Sequence, residues 1–119
     1  MDVATGLIST VVGIGIAGFS GDGGQATVAR IGSINVLSVD PAGNLFTSDV
    51  LNSTNHCLRW VPMPAGVITK LAGSGTPRGS KRVGAAIAAT INTPDGVYAD
   101  CGGKVFLCDR SNHRIRAVK

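Results

Sequence analysis

The stretch Gly102-Gly103-Lys104-Val105-Phe106-Leu107-Cys108-Asp109-Arg110-Ser111-Asn112-His113-Arg114-Ile115-Arg116-Ala117-Val118 decides how the rest of the chain is read. A short apolar run ends in aspartate, a polar turn follows, and a second run alternates cationic with apolar side chains, which is the pattern of a β-hairpin. The same unit stands earlier in the chain. Gly43-Asn44-Leu45-Phe46-Thr47-Ser48-Asp49 repeats the first run 60 residues before it, and Asn55-His56-Cys57-Leu58-Arg59-Trp60-Val61 repeats the second run 57 residues before it. The difference of three is an insertion between Val50 and Thr54.

Outward from the hairpin, the offset of 60 continues without a gap. Gly6-Leu7-Ile8-Ser9-Thr10-Val11-Val12-Gly13-Ile14-Gly15 matches Gly66-Val67-Ile68-Thr69-Lys70-Leu71-Ala72-Gly73-Ser74-Gly75, and Ala26, Ala29, Ile31, Asp40 and Gly43 match Ala86, Ala89, Ile91, Asp100 and Gly103. The chain is therefore two repeats, about 6–61 and 66–118, and almost nothing else. A unit of this length cannot bury its own faces and belongs to a larger array.

Gly18-Phe19-Ser20-Gly21-Asp22-Gly23-Gly24-Gln25-Ala26 through Ile31, Asp40-Pro41-Ala42-Gly43-Asn44-Leu45-Phe46, and Asp109-Arg110-Ser111-Asn112-His113-Arg114-Ile115-Arg116 together resemble NHL repeats, the blades of a class of β-propeller. The resemblance covers essentially the whole chain. It implies architecture rather than chemistry. Two departures stand out: Thr76-Pro77-Arg78-Gly79-Ser80-Lys81-Arg82 replaces the Gly/Asp loop of the first copy, and Ile34 stands where the second copy has Pro94.

Strands are expected at Leu7–Val12, Asn35–Asp40, Leu45–Asp49, His56–Val61, Val67–Ala72, Gly96–Asp100, Lys104–Asp109 and His113–Val118, with one short helical turn at each Ala-rich segment. The eight strands make an all-β fold of two four-stranded antiparallel propeller blades. They are phased so that Leu7–Val12 is the outer strand of a blade whose other three strands are not adjacent to it in sequence. The expectation is a head-to-tail contact in which this strand pairs with His113–Val118 of another copy, three copies closing a six-bladed ring as a homotrimer, in preference to two copies giving four blades or a fragment that needs the rest of a longer chain. Unpaired edges and uncovered apolar faces argue for such self-assembly.

Composition fits: 17 glycines, 44% hydrophobic residues, 15% charged residues and no glutamate. Charge divides unevenly, −2 over residues 1–60 and +6 over 61–119, which permits an anionic partner without establishing one. Met1-Asp2-Val3-Ala4-Thr5-Gly6 shows no signal peptide, and no run approaches the ~20 apolar residues of a membrane helix, so a cytoplasmic chain is favoured. Cys57, Cys101 and Cys108 form an odd set without metal spacing and read as free structural thiols.

Gly13-Ile14-Gly15-Ile16-Ala17-Gly18 has the spacing of a dinucleotide fingerprint, but it runs into Gly21-Asp22-Gly23-Gly24 rather than a helix, and no nucleotide is expected. Asp49 and Asp109 end strands before turns, where each carboxylate is expected to accept the turn's own amides; with Asn112, Asp40 and Asp100 they read as blade framework. His56 and His113 open equivalent strands and share no metal-type partner. No catalytic residue, metal or cofactor is assigned, and no enzyme is expected. The resemblance admits an axial metal and lyase or hydrolase chemistry as a third reading. Arg78, Lys81 and Arg82 of the basic loop 76–82 are expected on one face with Arg110 and the inserted Leu51-Asn52-Ser53-Thr54. A non-catalytic scaffold binding a partner through that face is the leading reading. RNA or another polyanion on the basic loop is the alternative.

Overall fold

The computed structural model describes residues 6–51, 54–75 and 85–118. Its strands are β1 (Leu37–Val39), β2 (Leu45–Leu51), β3 (Thr54–Val61), β4 (Thr69–Ala72), β5 (Pro94–Ala99), β6 (Val105–Asp109) and β7 (Arg114–Val118). They form two antiparallel sheets, ordered β1-β2-β3-β4 and β5-β6-β7. The repeat is kept in the registers: Leu45 opposes Val61 and Phe46 opposes Trp60 in the first sheet, while Val105 opposes Val118 and Phe106 opposes Ala117 in the second.

Among the described residues the strands number seven rather than eight. Leu7–Val12 forms none, because no described strand lies beside that segment. The first strand of sheet one is also shorter than the apolar run around it, Leu37–Val39 rather than Asn35–Asp40. The two Ala-rich segments each make one 3-10 turn, Ala26–Val28 and Ala86–Ala88, as the small-residue spacing predicts.

Aspartates set the tight turns. Asp40 Oδ1 accepts the amides of Ala42 at 3.0 Å and Asn44 at 2.9 Å, and Asp100 Oδ1 accepts those of Gly102 and Lys104 at 2.9 Å each. A short side-chain acceptor answering amides two and four residues on is what holds such a turn shut. The Asn44 side-chain amide, bonded to Asp40 Oδ2, is the main cause that lowers the Asp40 pKa below its ordinary 3.8.

Phe46, Leu58 and Ala72 of the first sheet pack against Ala99, Val105 and Leu107 of the second, with Trp60, Leu71, Val97 and Val118 around them. Alternation along β2 and β3 sends Leu45 and Val61 to the other face, where they meet Ile68, Ala26, Ala29, Val12 and Ile31. So one face of the first sheet is covered by the second sheet, and the long connection covers the Leu45 and Val61 part of the other, leaving Leu37 and Val39 exposed.

Candidate assembly site

A buried polar frame recurs in both repeats. Asp49 Oδ1 accepts the Gly32 amide at 2.7 Å and the Asn55 side chain at 2.7 Å; Asp109 Oδ1 accepts the Asn92 amide at 2.8 Å and the Asn112 side chain at 3.0 Å. The backbone amides answered belong to the connection before each sheet, not to the turn that follows the aspartate. A fully buried carboxylate needs donors from several directions, and the adjacent turn contributes a side chain only.

Arg59 lies across the first carboxylate with its side chain fully buried. It donates to Asp49 Oδ2 at 3.3 Å, Asp22 Oδ1 at 2.8 Å, the Ser20 carbonyl at 2.9 Å and the Arg30 carbonyl at 2.8 Å, and its guanidinium carbon lies 4.3 Å from the centre of the Phe19 ring. The Gly18–Gly24 connection is thus tied to β3 mainly through Arg59, with the Asn55 side chain adding a bond to the Gly18 carbonyl at 2.9 Å. Arg116 occupies the equivalent place, reaching the Thr90 carbonyl at 3.1 Å and Asp109 Oδ2 at 3.5 Å. Nothing in the spacing marked Phe19 or the reach of Arg59, whose bonds to Arg30, Asp22 and Ser20 span 29 to 39 residues of chain.

The histidines differ. His56 is buried within β3 and its Nδ1 accepts the Thr93 amide at 3.0 Å, linking the two sheets, whereas His113 is an exposed left-handed residue just before β7. Cys57 is buried, Cys108 half-buried and Cys101 exposed, all unpaired. Burial above all, with the Asp49 charge second, pushes the Cys57 thiol up to about 12. Among the described residues no three His, Cys, Asp or Glu side chains converge on a metal site, and no helix is long and apolar enough to cross a membrane.

Of the loop-face residues, Arg78, Lys81, Arg82 and Asn52 lie outside the described residues. Arg110 is exposed and paired with Asp95 at 3.7 Å. The part of that face that is described does not gather a cationic cluster.

What the structure does bring together lies at the free edge of the second sheet. Among the described residues no strand pairs with the far edge of β7, while the first sheet has β4 in that place. The glycines that bracket residues 7–12, the repeat counterpart of the β4 segment, match those that bracket β4: φ is 64°, 98° and 87° at Gly6, Gly13 and Gly15, against 71°, 101° and 88° at Gly66, Gly73 and Gly75. Their exits are fastened alike. Gly13 donates to the Ala26 carbonyl and Gly73 to the Ala86 carbonyl, both at 2.9 Å; Ile14 donates to Ala29 at 3.0 Å and Ser74 to Ala89 at 2.7 Å.

Two hollows flank this edge system. One, of 300 Å³, opens between the sheets among Phe46, Trp60, Leu71, Val105 and Val118, with Asp40 and Asp100 at its lip. The other, of 630 Å³, lies over Gly13–Ala17 and is bounded by Thr10, Val12 and Ile31. The outward face of the second sheet exposes Tyr98 and Ile115, and Leu37 and Val39 are exposed on the first sheet.

Residues 92–117, most of the second sheet, match the profile of the NHL repeat. A solved structure from Bacteroides thetaiotaomicron, a structural genomics protein of unknown function, is similar with a TM-score of 0.67 and 25% identity, over 78% of this chain and 22% of its own. This chain therefore spans less than a quarter of that structure's length. No curated protein matches the sequence. The two sheets are blade-like units of an all-β fold, and the second carries an NHL repeat.

Proposed function

We propose that the chain is a non-catalytic NHL-type β-propeller module whose working form is a closed ring of copies joined head to tail, three copies giving six blades, and which binds its partner through the loop face. One observation carries the reading. Among the described residues the second sheet has one strand fewer than the first, and the segment that repeats the missing strand carries the same bracketing glycine turns without being part of a sheet.

The internal repeat supplies the matching surfaces. Within the chain, the Phe46, Leu58 and Trp60 face of the first sheet is covered by the Val97, Ala99, Val105 and Leu107 face of the second. The counterparts of the former are Phe106, Ile115 and Ala117; those of the latter are Leu37, Val39, Leu45 and Thr47. Stacking the first set of one copy on Leu37 and Val39, the exposed members of the second set, in the next copy follows the pattern of an interface the chain already contains. A contact between two different surfaces propagates head to tail and ends when the rotation closes. A non-catalytic role fits because Asp49 and Asp109, the buried acids, are committed to holding backbone and arginine.

Light scattering after size exclusion tests this. The expected molar mass is three times the 12.1 kDa chain, and deletion of residues 1–12 abolishes the assembly and lowers solubility. A folded, soluble monomer of the whole chain at micromolar concentration refutes it.

A further inference from the structure

We infer that the joint between copies has a single register, in which residues 9–12 of one copy pair antiparallel with β7 of its neighbour, Ile8 fills the cleft between the neighbour's two sheets, and the hollow over Gly13 seats the neighbour's residues 112–114. This rests on the self-assembly reading and adds to it which side chain enters which hollow.

The register follows from the first sheet, where Ala72 opposes Leu58, Lys70 opposes Arg59 and Thr69 opposes Trp60. Shifted by the repeat, Val12 opposes the neighbour's Ile115, Thr10 the neighbour's Arg116, and Ser9 the neighbour's Ala117. Ile68, just before β4, is 0% exposed among Val61, Ala26 and Ala29. Its counterpart Ile8 is 98% exposed. The counterpart of Val61 is Val118, which lines the 300 Å³ cleft together with Val105 and Leu71. A side chain with no cover and an apolar cleft with no filling are thus related by the repeat that relates Ile68 to its own enclosure.

The second hollow follows the same rule. A β-carbon on Gly73 would stand 2.6 Å from the His56 carbonyl oxygen and 2.7 Å from the Cys57 α-carbon, so glycine there admits the backbone that opens β3. A β-carbon on Gly13 would meet only Ile31, at 3.2 Å, and the space above it is the 630 Å³ hollow. The counterparts of His56 and Cys57 are His113 and Arg114, at the start of β7. One contact thus accounts for both of these hollows.

Cross-linking between separately made chains tests the register. Ser9→Cys and Ala117→Cys are each introduced with Cys101→Ser and Cys108→Ser, the latter matching Ser48 of the other repeat; Cys57 is buried and stays. Directly opposed residues of antiparallel strands have α-carbons about 4.5–5.5 Å apart, within the span of a disulfide. Mixed and oxidised, the two chains are expected to give a disulfide-linked pair that neither gives alone, and Val11→Cys in place of Ser9→Cys is expected to give several-fold less. In parallel, Ile8→Asp is expected to weaken assembly roughly tenfold or more, the affinity equivalent of burying one such side chain. Because Ile8 is exposed within a single chain, the circular dichroism of this variant should match that of the parent. An oligomer of unchanged mass that lacks the Ser9–Ala117 cross-link, or that Ile8→Asp does not weaken, overturns this joint and leaves assembly standing; a monomeric parent overturns both.

Discussion

Replacing Arg59 and Arg116 separately by Leu should have unequal costs, and the structure says by how much. Arg59 is 0% exposed in its side chain and holds two carbonyls and two carboxylates; Arg116 is 15% exposed and holds the Thr90 carbonyl and, at 3.5 Å, Asp109. Arg59→Leu leaves the buried Asp49 charge without its cation and strips the Ser20 and Arg30 carbonyls of a donor. Breaking a buried ion pair by deleting one partner costs about 3–5 kcal/mol. Arg116→Leu removes a longer contact that water still reaches, and Asp109 keeps the Asn92 amide and both bonds from Asn112, so about 1–2 kcal/mol is expected. Urea unfolding at one fixed protein concentration reads the difference as a shift in midpoint at similar slope. The reasoning fails if Arg116→Leu costs as much as Arg59→Leu, or if Arg59→Leu costs less than about 1 kcal/mol.

Changing Arg78, Lys81 and Arg82 together to Ala is expected to weaken binding of single-stranded RNA and to flatten its salt dependence; unchanged binding removes the polyanion reading. Alkylation at neutral pH should reach the exposed Cys101 well before Cys57, whose thiol is pushed to about 12, and Cys57 should react only on unfolding; early labelling of Cys57 contradicts its burial. Because Asp40 titrates below its ordinary 3.8 when folded, its share of stability is present above that value and is lost as pH falls through the lowered one. Asp40→Ala should therefore flatten the acid limb of a stability profile, and an NMR titration giving Asp40 an ordinary midpoint counts against this. The Asn52-Ser53-Thr54 sequon is expected to be unused and the three thiols reduced; a glycan or disulfide found by mass spectrometry on the natural protein refutes that.

Much of the fold is legible because the chain says the same thing twice. The hairpins around Asp40–Asn44 and Asp100–Lys104 stand where the 60-residue offset puts them, since turn chemistry and strand alternation are local. The Leu7–Val12 segment shows the limit of that logic. Its pattern is that of a strand, but a strand also needs a neighbour, and among the described residues none pairs with it. The Arg59 anchorage is illegible for a different reason: two of its four acceptors are main-chain carbonyls, which every residue carries and no spacing can mark. The link from His56 to the Thr93 amide is hidden in the same way.

That anchorage to main chain has an evolutionary consequence. Arg30 and Thr90 occupy one repeat position and offer the same carbonyl to Arg59 and Arg116; Gly32 and Asn92 occupy another and offer the same amide to Asp49 and Asp109. Neither pair shares a side chain, and the frame does not read the difference. Mutations in these connections are therefore filtered for length and backbone shape rather than for chemistry. Two copies descended from one unit can drift apart in charge, as the −2 and +6 halves have done, while the scaffold beneath them stays the same.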